Sequence, residues 1–148
     1  MQPAQFQLSY LTPDDHQAIL SLWHQTGLKS IRPLGRDSRE AMEHQAASGV
    51  QAILGLLDKR RLIAVIVVTH DGRKGWLNRL AVDADYRGQG LARRLIREAE
   101  DWLSDQGIDV WAALIEDYNN SSLELFRSDG YTVHDDIIYL SKRPDPGA

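Results

Sequence analysis

The chain of 148 residues contains no cysteine, which excludes disulfide bridges, thiolate metal ligands and a cysteine nucleophile. It has no excess of positive charge: 17 lysines and arginines against 21 aspartates and glutamates leave a formal net charge of −4. No apolar run reaches the roughly 18 residues of a membrane span, and the N-terminus lacks the features of a signal peptide. These absences predict a cytoplasmic protein that binds neither membranes nor nucleic acids. No histidine or carboxylate cluster has metal-ligand spacing, so no metal is expected.

Hydrophobic periodicity predicts a mixed α/β fold, that is, an α+β fold built on a mixed sheet. The length predicts a single domain over residues 1–148, with a tail over about 142–148. The predicted strands are Phe6–Tyr10, Ala52–Leu57, Leu62–His70, Trp76–Val82, Ile108–Ile115, Tyr131–Val133 and Ile137–Leu140. The predicted helices run from Thr12 to about Gly27, from Asp37 or Ser38 to about Ser48, over Gln89–Gln106 and over Asn119–Asp129. The resulting order is β-α-α-β-β-β-α-β-α-β-β, with an antiparallel first half.

Two short patterns indicate where elements begin and end. Thr12, Pro13 and Asp15 are typical of a helix start, with a hydroxyl cap, proline at the first helical position and an acid three residues past the cap. Asp71 and Gly72 stand between two strands and predict a tight hairpin connection.

The segment 85–95, DYRGQGLARRL, is unusual for the start of a helix. Acids are favoured there because the helix dipole is positive at its N-terminus, yet arginines flank Gly88 and Gly90. Glycine lets an anion approach the free backbone N–H groups, and the arginines add positive charge. The pattern predicts a phosphate-binding loop; the alternative is a tight turn with solvated arginines.

Two familiar phosphate-binding loops do not fit this segment. A dinucleotide-binding fold requires a third glycine where Arg93 stands, and a βαβ unit where this chain has a hairpin. The P-loop pattern, which ends in Gly-Lys-Ser/Thr, is absent. A nucleotide-binding domain is therefore an alternative that the missing glycine disfavours.

The segment resembles the acyl-CoA signature Gln/Arg-x-x-Gly-x-Gly/Ala of the GNAT superfamily of N-acetyltransferases, with Arg87, Gly90 and Ala92 at its defined positions. A second block, NNSSLELFRSDGY, is similar to a later motif of that family. Its matching residues are Asn119, Ser122, Leu125, Phe126, Gly130 and Tyr131. Since the order of elements also fits, the resemblance covers most of the chain. It implies an acyltransferase that uses acetyl-CoA as co-substrate and acetylates an amine.

The resemblance also implies how the co-substrate is held. The pyrophosphate would lie on the backbone amides of Arg87, Gly88, Gln89, Gly90, Leu91, Ala92 and Arg93. Leu80, Ala81 and Val82 would pair with the pantetheine arm as if it were an added strand, in a slot where the central strands part after Val82. Asn119 and Ser122 would line the far side of the co-substrate, and Phe126 would lie near the thioester. Asn119 can cap a helix at the same time, and core packing is the preferred interpretation of Leu125 and Tyr131.

The proton-transfer groups common in the family are missing from their usual positions. Trp76 and Asn78 stand where relatives often carry Glu or His, and Phe126 stands where many have a tyrosine acid. Tyr118 is then a candidate acid and Glu116 a candidate base acting through water; otherwise both are surface or cap residues. Backbone N–H groups near Leu80 are expected to stabilise the oxyanion.

Substrate binding is expected in the loop 26–38, TGLKSIRPLGRDS, between the first two helices. The candidate residues are Arg32 and Arg36 of this loop together with Asn78 and Arg79 of the fourth strand. A bidentate arginine grip on a carboxylate would favour a small acidic or amino-acid-like amine. The acceptor can be a small molecule or a peptide: peptide N-termini, lysines, polyamines and antibiotics all stay open. The sequence also leaves open the choice between monomer and homodimer. The alternative to an enzyme is a non-catalytic acyl-CoA-binding or regulatory module on the same fold.

Overall fold

The protein is built on a five-stranded sheet of order β1-β2-β3-β4-β5, seen in a computed structural model that describes residues 5–148. The strands are β1 Gln7–Tyr10, β2 Gln51–Asp58, β3 Arg61–His70, β4 Gly75–Val82 and β5 Trp111–Ala113. Neighbouring strands are antiparallel except β4 and β5, which are parallel. This mixed sheet confirms the predicted fold class.

Helices cover both faces of the sheet. They are α1 His16–Gln25, α2 Arg39–Ala47, α3 Leu91–Asp105 and α4 Asn120–Ser128, with short 3-10 turns at Pro13–Asp15 and Ala84–Tyr86. One face packs against the buried stripe of α3, which comprises Leu91, Leu95, Ile96, Ala99 and Leu103. The other face packs against α1 and α2 through Ile19, Leu22, Trp23 and Met42. The spacing of these apolar residues at three and four positions explains why the segments form helices.

The predicted boundary signals are present. Thr12 accepts from the backbone N–H of Asp14, and the Asp15 carboxylate accepts from the backbone N–H of Thr12 at 2.9 Å, so the reciprocal cap forms. The Asp71 carboxylate accepts from the N–H groups of Arg73 and Lys74, both at 2.8 Å, and closes the β3–β4 hairpin. Ser38, rather than Asp37, caps α2 by accepting from the N–H of Ala41.

Three predicted strands need correction. The segment Ile108–Ile115 forms a strand only over Trp111–Ala113, where β4 lies beside it. Tyr131–Val133 and Ile137–Leu140 form no strand, and the side chains of residues 137–140 are 67–84% exposed. β-branched and aromatic residues favour an extended backbone, but a strand also needs a hydrogen-bonded neighbour, and sequence pattern does not supply one.

A partly buried contact between α3 and the segment after α4 leads to a prediction on stability. Tyr131 Oη donates to Glu100 Oε2 at 2.7 Å, and burial raises the pKa of Glu100 above its usual value. An acid with a raised folded-state pKa stabilises the fold below its unfolded pKa of 4.5 and loses that contribution as pH rises through the folded pKa.

We therefore expect Glu100→Gln, which still accepts from Tyr131, to raise the melting temperature at pH 7 by about 1–2 °C. The gain should vanish at pH 4, where the wild-type carboxyl group is already protonated. Thermal scans across this range test it, with Glu124→Gln, an exposed carboxylate of α4, as control. A loss of stability at pH 7 would show instead that the charged hydrogen bond outweighs desolvation.

Candidate active site

A slot opens between β4 and β5. β4 and β5 pair only at Gly75–Trp111, Trp76–Ala112 and Leu77–Ala113, and β4 then continues to Val82 paired with β3 but not with β5. The parting therefore begins after Leu77 rather than after Val82 as predicted from the sequence. The edge of β4 that lacks a β5 partner is therefore longer than predicted, and it includes Leu80, Ala81 and Val82. An unpaired strand edge presents backbone donors and acceptors to an extended ligand.

The glycine loop lies at the end of this slot. Gly88 and Gly90 have φ values of +78° and +77°, a left-handed conformation that side chains other than glycine rarely adopt. Gly90 precedes α3, and no side chain caps the helix. The first intrahelical bond runs from the N–H of Arg94 to the carbonyl of Gly90, so the N–H groups of residues 91–93 have no partner within the helix. A helix end of this kind binds anions.

A cavity of about 190 Å³ joins the glycine loop to β4 and α4. Its lining comprises Val82, Tyr86, Arg87, Gly88, Gly90, Leu91, Ala92, Arg93 and Leu125. Most of the residues predicted for the pyrophosphate cradle thus lie around one space. Gln89 is not part of the lining, and its Oε1 is buried without a hydrogen-bond partner.

The two arginines of the loop differ in what they contact. Arg87 is exposed, and its Nε donates to the carbonyl of Val82 at 3.3 Å. Arg93 donates to the Asp129 carboxylate at 3.1 Å and to Ser128 Oγ at 2.7 Å, at the C-terminus of α4. The Arg93 side chain therefore ties α3 to α4, while its backbone N–H is one of those without a partner within the helix.

Helix α4 forms the wall across the slot. Asn119 caps it by accepting from the N–H of Ser122 at 3.3 Å, as expected from the sequence. Phe126 is only 6% exposed and packs edge-on against Tyr131 at a ring-centroid distance of 5.0 Å. Leu125 packs against the same core and also reaches the cavity.

The candidate proton-transfer residues lie in the loop between β5 and α4. Tyr118 is 62% exposed, and Lys29 Nζ lies 5.5 Å from the centroid of its ring. Glu116 is exposed, and its carbonyl accepts from the N–H of Asn119 at 2.9 Å. Because β5 ends at Ala113, Glu116 does not end the strand as predicted but lies three residues beyond it.

A β-bulge interrupts β4 beside the slot. Val65 pairs with Ala81 and Val67 with Asn78, so Arg79 and Leu80 together face the single residue Ile66. The extra residue reverses the side-chain alternation: Leu77 packs in the core under α3, whereas Ala81 packs in the core under α1. A bulge also leaves backbone groups without ladder partners. The oxyanion donors near Leu80 were predicted at this position.

Three of the candidate substrate-binding residues are engaged within the protein. Arg79 donates to the Asp37 carboxylate and to the carbonyl of Ser30. Arg36 Nη2 donates to the same carbonyl of Ser30. Arg32 Nη1 donates to the carbonyls of Lys29 and Ile31. Asn78 is half-buried on β4 beside the point where β5 ends. The sequence did not identify Asp37, Trp23 or Ser30 as partners of Arg79; a lone acid within an arginine-rich loop was the only signal.

A larger cavity, of about 350 Å³, lies away from these residues, between α2, the start of β2 and the end of α3. Its lining mixes apolar residues with Tyr10, Thr12, Gln51 and Gln106, and it includes none of the predicted site residues. Among residues 5–148 no group of three histidine, aspartate or glutamate side chains is placed to hold a metal ion. No helix in the same range is long and apolar enough to cross a membrane.

Comparisons with known proteins identify the family of the chain. The sequence model of the Acetyltransferase (GNAT) family matches residues 17–131, so the chain belongs to this family. It is 25% identical over 130 residues to Acetyltransferase SG1711 of Sodalis glossinidius, covering 88% of this chain and 89% of that one.

Solved structures share the fold. The PaiA N-acetyltransferase of Thermoplasma acidophilum in complex with coenzyme A matches with a TM-score of 0.75 and 18% identity over 88% of this chain and 91% of that chain. The aminoglycoside acetyltransferase AAC(6')-Iy, in complex with the bisubstrate analogue CoA-S-monomethyl-acetylneamine, matches with a TM-score of 0.76 and 14% identity over 93% and 98%.

Proposed function

We propose that residues 1–148 act as one acetyl-CoA-dependent N-acetyltransferase domain that acetylates a primary amine by direct attack in a ternary complex. The observation that carries the proposal is the uncapped glycine-rich start of α3 at the end of an unpaired β4 edge. Phosphates suit the first feature, and an extended amide-containing arm suits the second. Acetyl-CoA contains both in one molecule, and the family relationship supports it.

The residues divide the binding of acetyl-CoA between them. The backbone amides of residues 87–93 would hold the pyrophosphate, with Arg87 adding charge, and Leu80, Ala81 and Val82 would pair with the pantetheine arm. Asn119 and Ser122 stand at the start of α4, which forms the opposite wall. Acetyl-CoA supplies the activated acetyl group as a thioester.

The transfer needs little side-chain chemistry. A neutral amine nitrogen attacks the thioester carbonyl carbon, the C–S bond breaks, and CoA leaves as a thiolate that takes up a proton. Backbone N–H groups of the bulge near Leu80 would stabilise the charge on the carbonyl oxygen. We assign the proton donor to Tyr118 and the acceptor of the amine proton, through water, to Glu116.

The test is thiol release from acetyl-CoA with a panel of amines: an amino-acid amide, spermidine, an aminoglycoside and a peptide with a free N-terminus. We expect acetyl-CoA to raise the melting temperature of the wild type, since a ligand that binds only the folded state stabilises it. We also expect at least one amine to release thiol. An Arg87→Glu/Gly90→Asp variant should show neither effect.

A non-catalytic acyl-CoA-binding module is the second candidate function. It is favoured by the buried Phe126, which cannot donate a proton, and by the absence of an acid or base at Trp76 and Asn78. Stabilisation by acetyl-CoA without thiol release would support this candidate and exclude the enzyme for the amines tested.

A further inference from the structure

Arg79, at the bulge of β4, holds a conformation that its own backbone disfavours. Its φ is +55°, in the left-handed region, although it has a long side chain. A residue of this kind keeps such a conformation only when its surroundings impose it. The ladder with β3 frames the bulge, and residues of α1 and the 26–38 loop hold the carbonyl and the side chain of Arg79.

Both the backbone and the side chain of Arg79 are held. Trp23 Nε1 donates to the carbonyl of Arg79 at 3.3 Å, and the Trp23 ring centroid lies 4.9 Å from the guanidinium carbon. Arg79 Nη1 donates to Asp37 Oδ1, and Nη2 donates to the carbonyl of Ser30 at 3.1 Å. The side chains of Arg79 and Asp37 are only 15% and 9% exposed, so water screens the ion pair weakly.

Asp37 in turn holds the loop from which it comes. Its second carboxylate oxygen accepts from the backbone N–H of Arg32 at 2.7 Å, and its carbonyl accepts from His16 Nε2 at 2.8 Å. The carboxylate thus bridges the middle of the 26–38 loop and the bulge of β4. One residue before Ser30, Lys29 contacts the ring of Tyr118 on the opposite wall of the slot.

We propose that the Arg79–Asp37 pair is a positioning device that couples the geometry of the 26–38 loop to that of the β4 bulge. The proposal rests on the transferase function, for which the loop would lie on the acceptor side and the bulge at the reacting carbonyl. Through this pair, the acceptor surface and the oxyanion donors are fixed relative to each other. We assign Arg79 and Asp37 as positioning residues, because their charged groups neutralise each other and are largely buried.

The test combines hydrogen exchange with kinetics on Asp37→Asn, Arg79→Gln, the double variant and the conservative Arg79→Lys. The control is Asp14→Asn, which breaks the exposed ion pair of Arg39 and Asp14 at the start of α2. Thermal scans establish that each variant is folded. Arg79→Lys retains the positive charge but cannot donate to Asp37 and Ser30 from two separate nitrogens. This variant therefore remains informative if Asp37→Asn fails to fold.

We expect either single neutral substitution to speed amide exchange about tenfold in both segments, 28–37 and 78–82, and the double variant to add little. Arg79→Lys should fall between these variants and the wild type. With the amine that supports turnover, kcat should fall about 10- to 100-fold while KM for acetyl-CoA stays within twofold.

Faster exchange confined to the segment that carries the substitution would overturn the coupling. An unchanged kcat in a variant with coupled exchange would overturn the positioning role. If the wild type releases no thiol with any amine, the proposed activity fails separately, and the exchange data still decide whether the pair couples loop and bulge.

Discussion

Ala92→Glu is expected to weaken acetyl-CoA binding strongly without destabilising the fold. Ala92 lies in the first turn of α3 and lines the cavity at the glycine loop. A carboxylate there interacts favourably with the helix dipole, so the ligand-free melting temperature should stay equal or rise by about 1–3 °C. The same carboxylate would stand where we propose that the pyrophosphate binds, and we expect the Kd to rise about 100-fold or more.

Calorimetric titration and thermal scans with acetyl-CoA measure both effects. Ala92→Gln is the matched control, since it adds nearly the same volume without charge and should weaken binding less. If Ala92→Glu and the wild type gain the same thermal stability from acetyl-CoA, the pyrophosphate does not bind at the start of α3. If the glutamine variant binds as poorly as the glutamate variant, steric exclusion rather than charge explains the loss.

Local chemistry made much of the fold predictable from the sequence. Residues only a few positions apart in sequence define the cap at Thr12, the hairpin at Asp71 and each step of the apolar stripe of α3. Their spacing is therefore visible in the sequence. The strands after α3 depend on distant partners. Ile108–Ile115 is apolar except for Asp109, yet it pairs with β4 only over Trp111–Ala113, and sequence pattern cannot show where two strands part.

The same distinction separates the predicted parts of the site from those that were missed. The glycine-rich start of α3 was predictable because Gly88 and Gly90 are adjacent in sequence to the helix that follows them. The engagement of Arg79 by Asp37 spans 42 positions, and that of Arg93 by Asp129 spans 36. An arginine near a slot resembles a ligand-binding residue until its partner is located, and only the tertiary structure locates it.

Tyr118→Phe is expected to lower kcat about 100-fold, the lower range for loss of a general acid. The substitution removes the only group proposed to protonate the departing thiolate, because Phe126 is buried against Tyr131 and has no donor. KM for acetyl-CoA should stay within twofold, since no contact of the pyrophosphate cradle changes. Steady-state thiol release with the active amine measures both constants.

Tyr139→Phe is the control for this substitution, because Tyr139 is similarly exposed, at 67% against 62%, but lies in the C-terminal segment. It should leave kcat unchanged. If the two variants behave alike, the thiolate leaves without a proton from Tyr118. The bulge of β4 would then carry the reaction through its backbone N–H groups alone, and substitutions that disturb the bulge, such as those at Arg79, should have the larger effect on kcat.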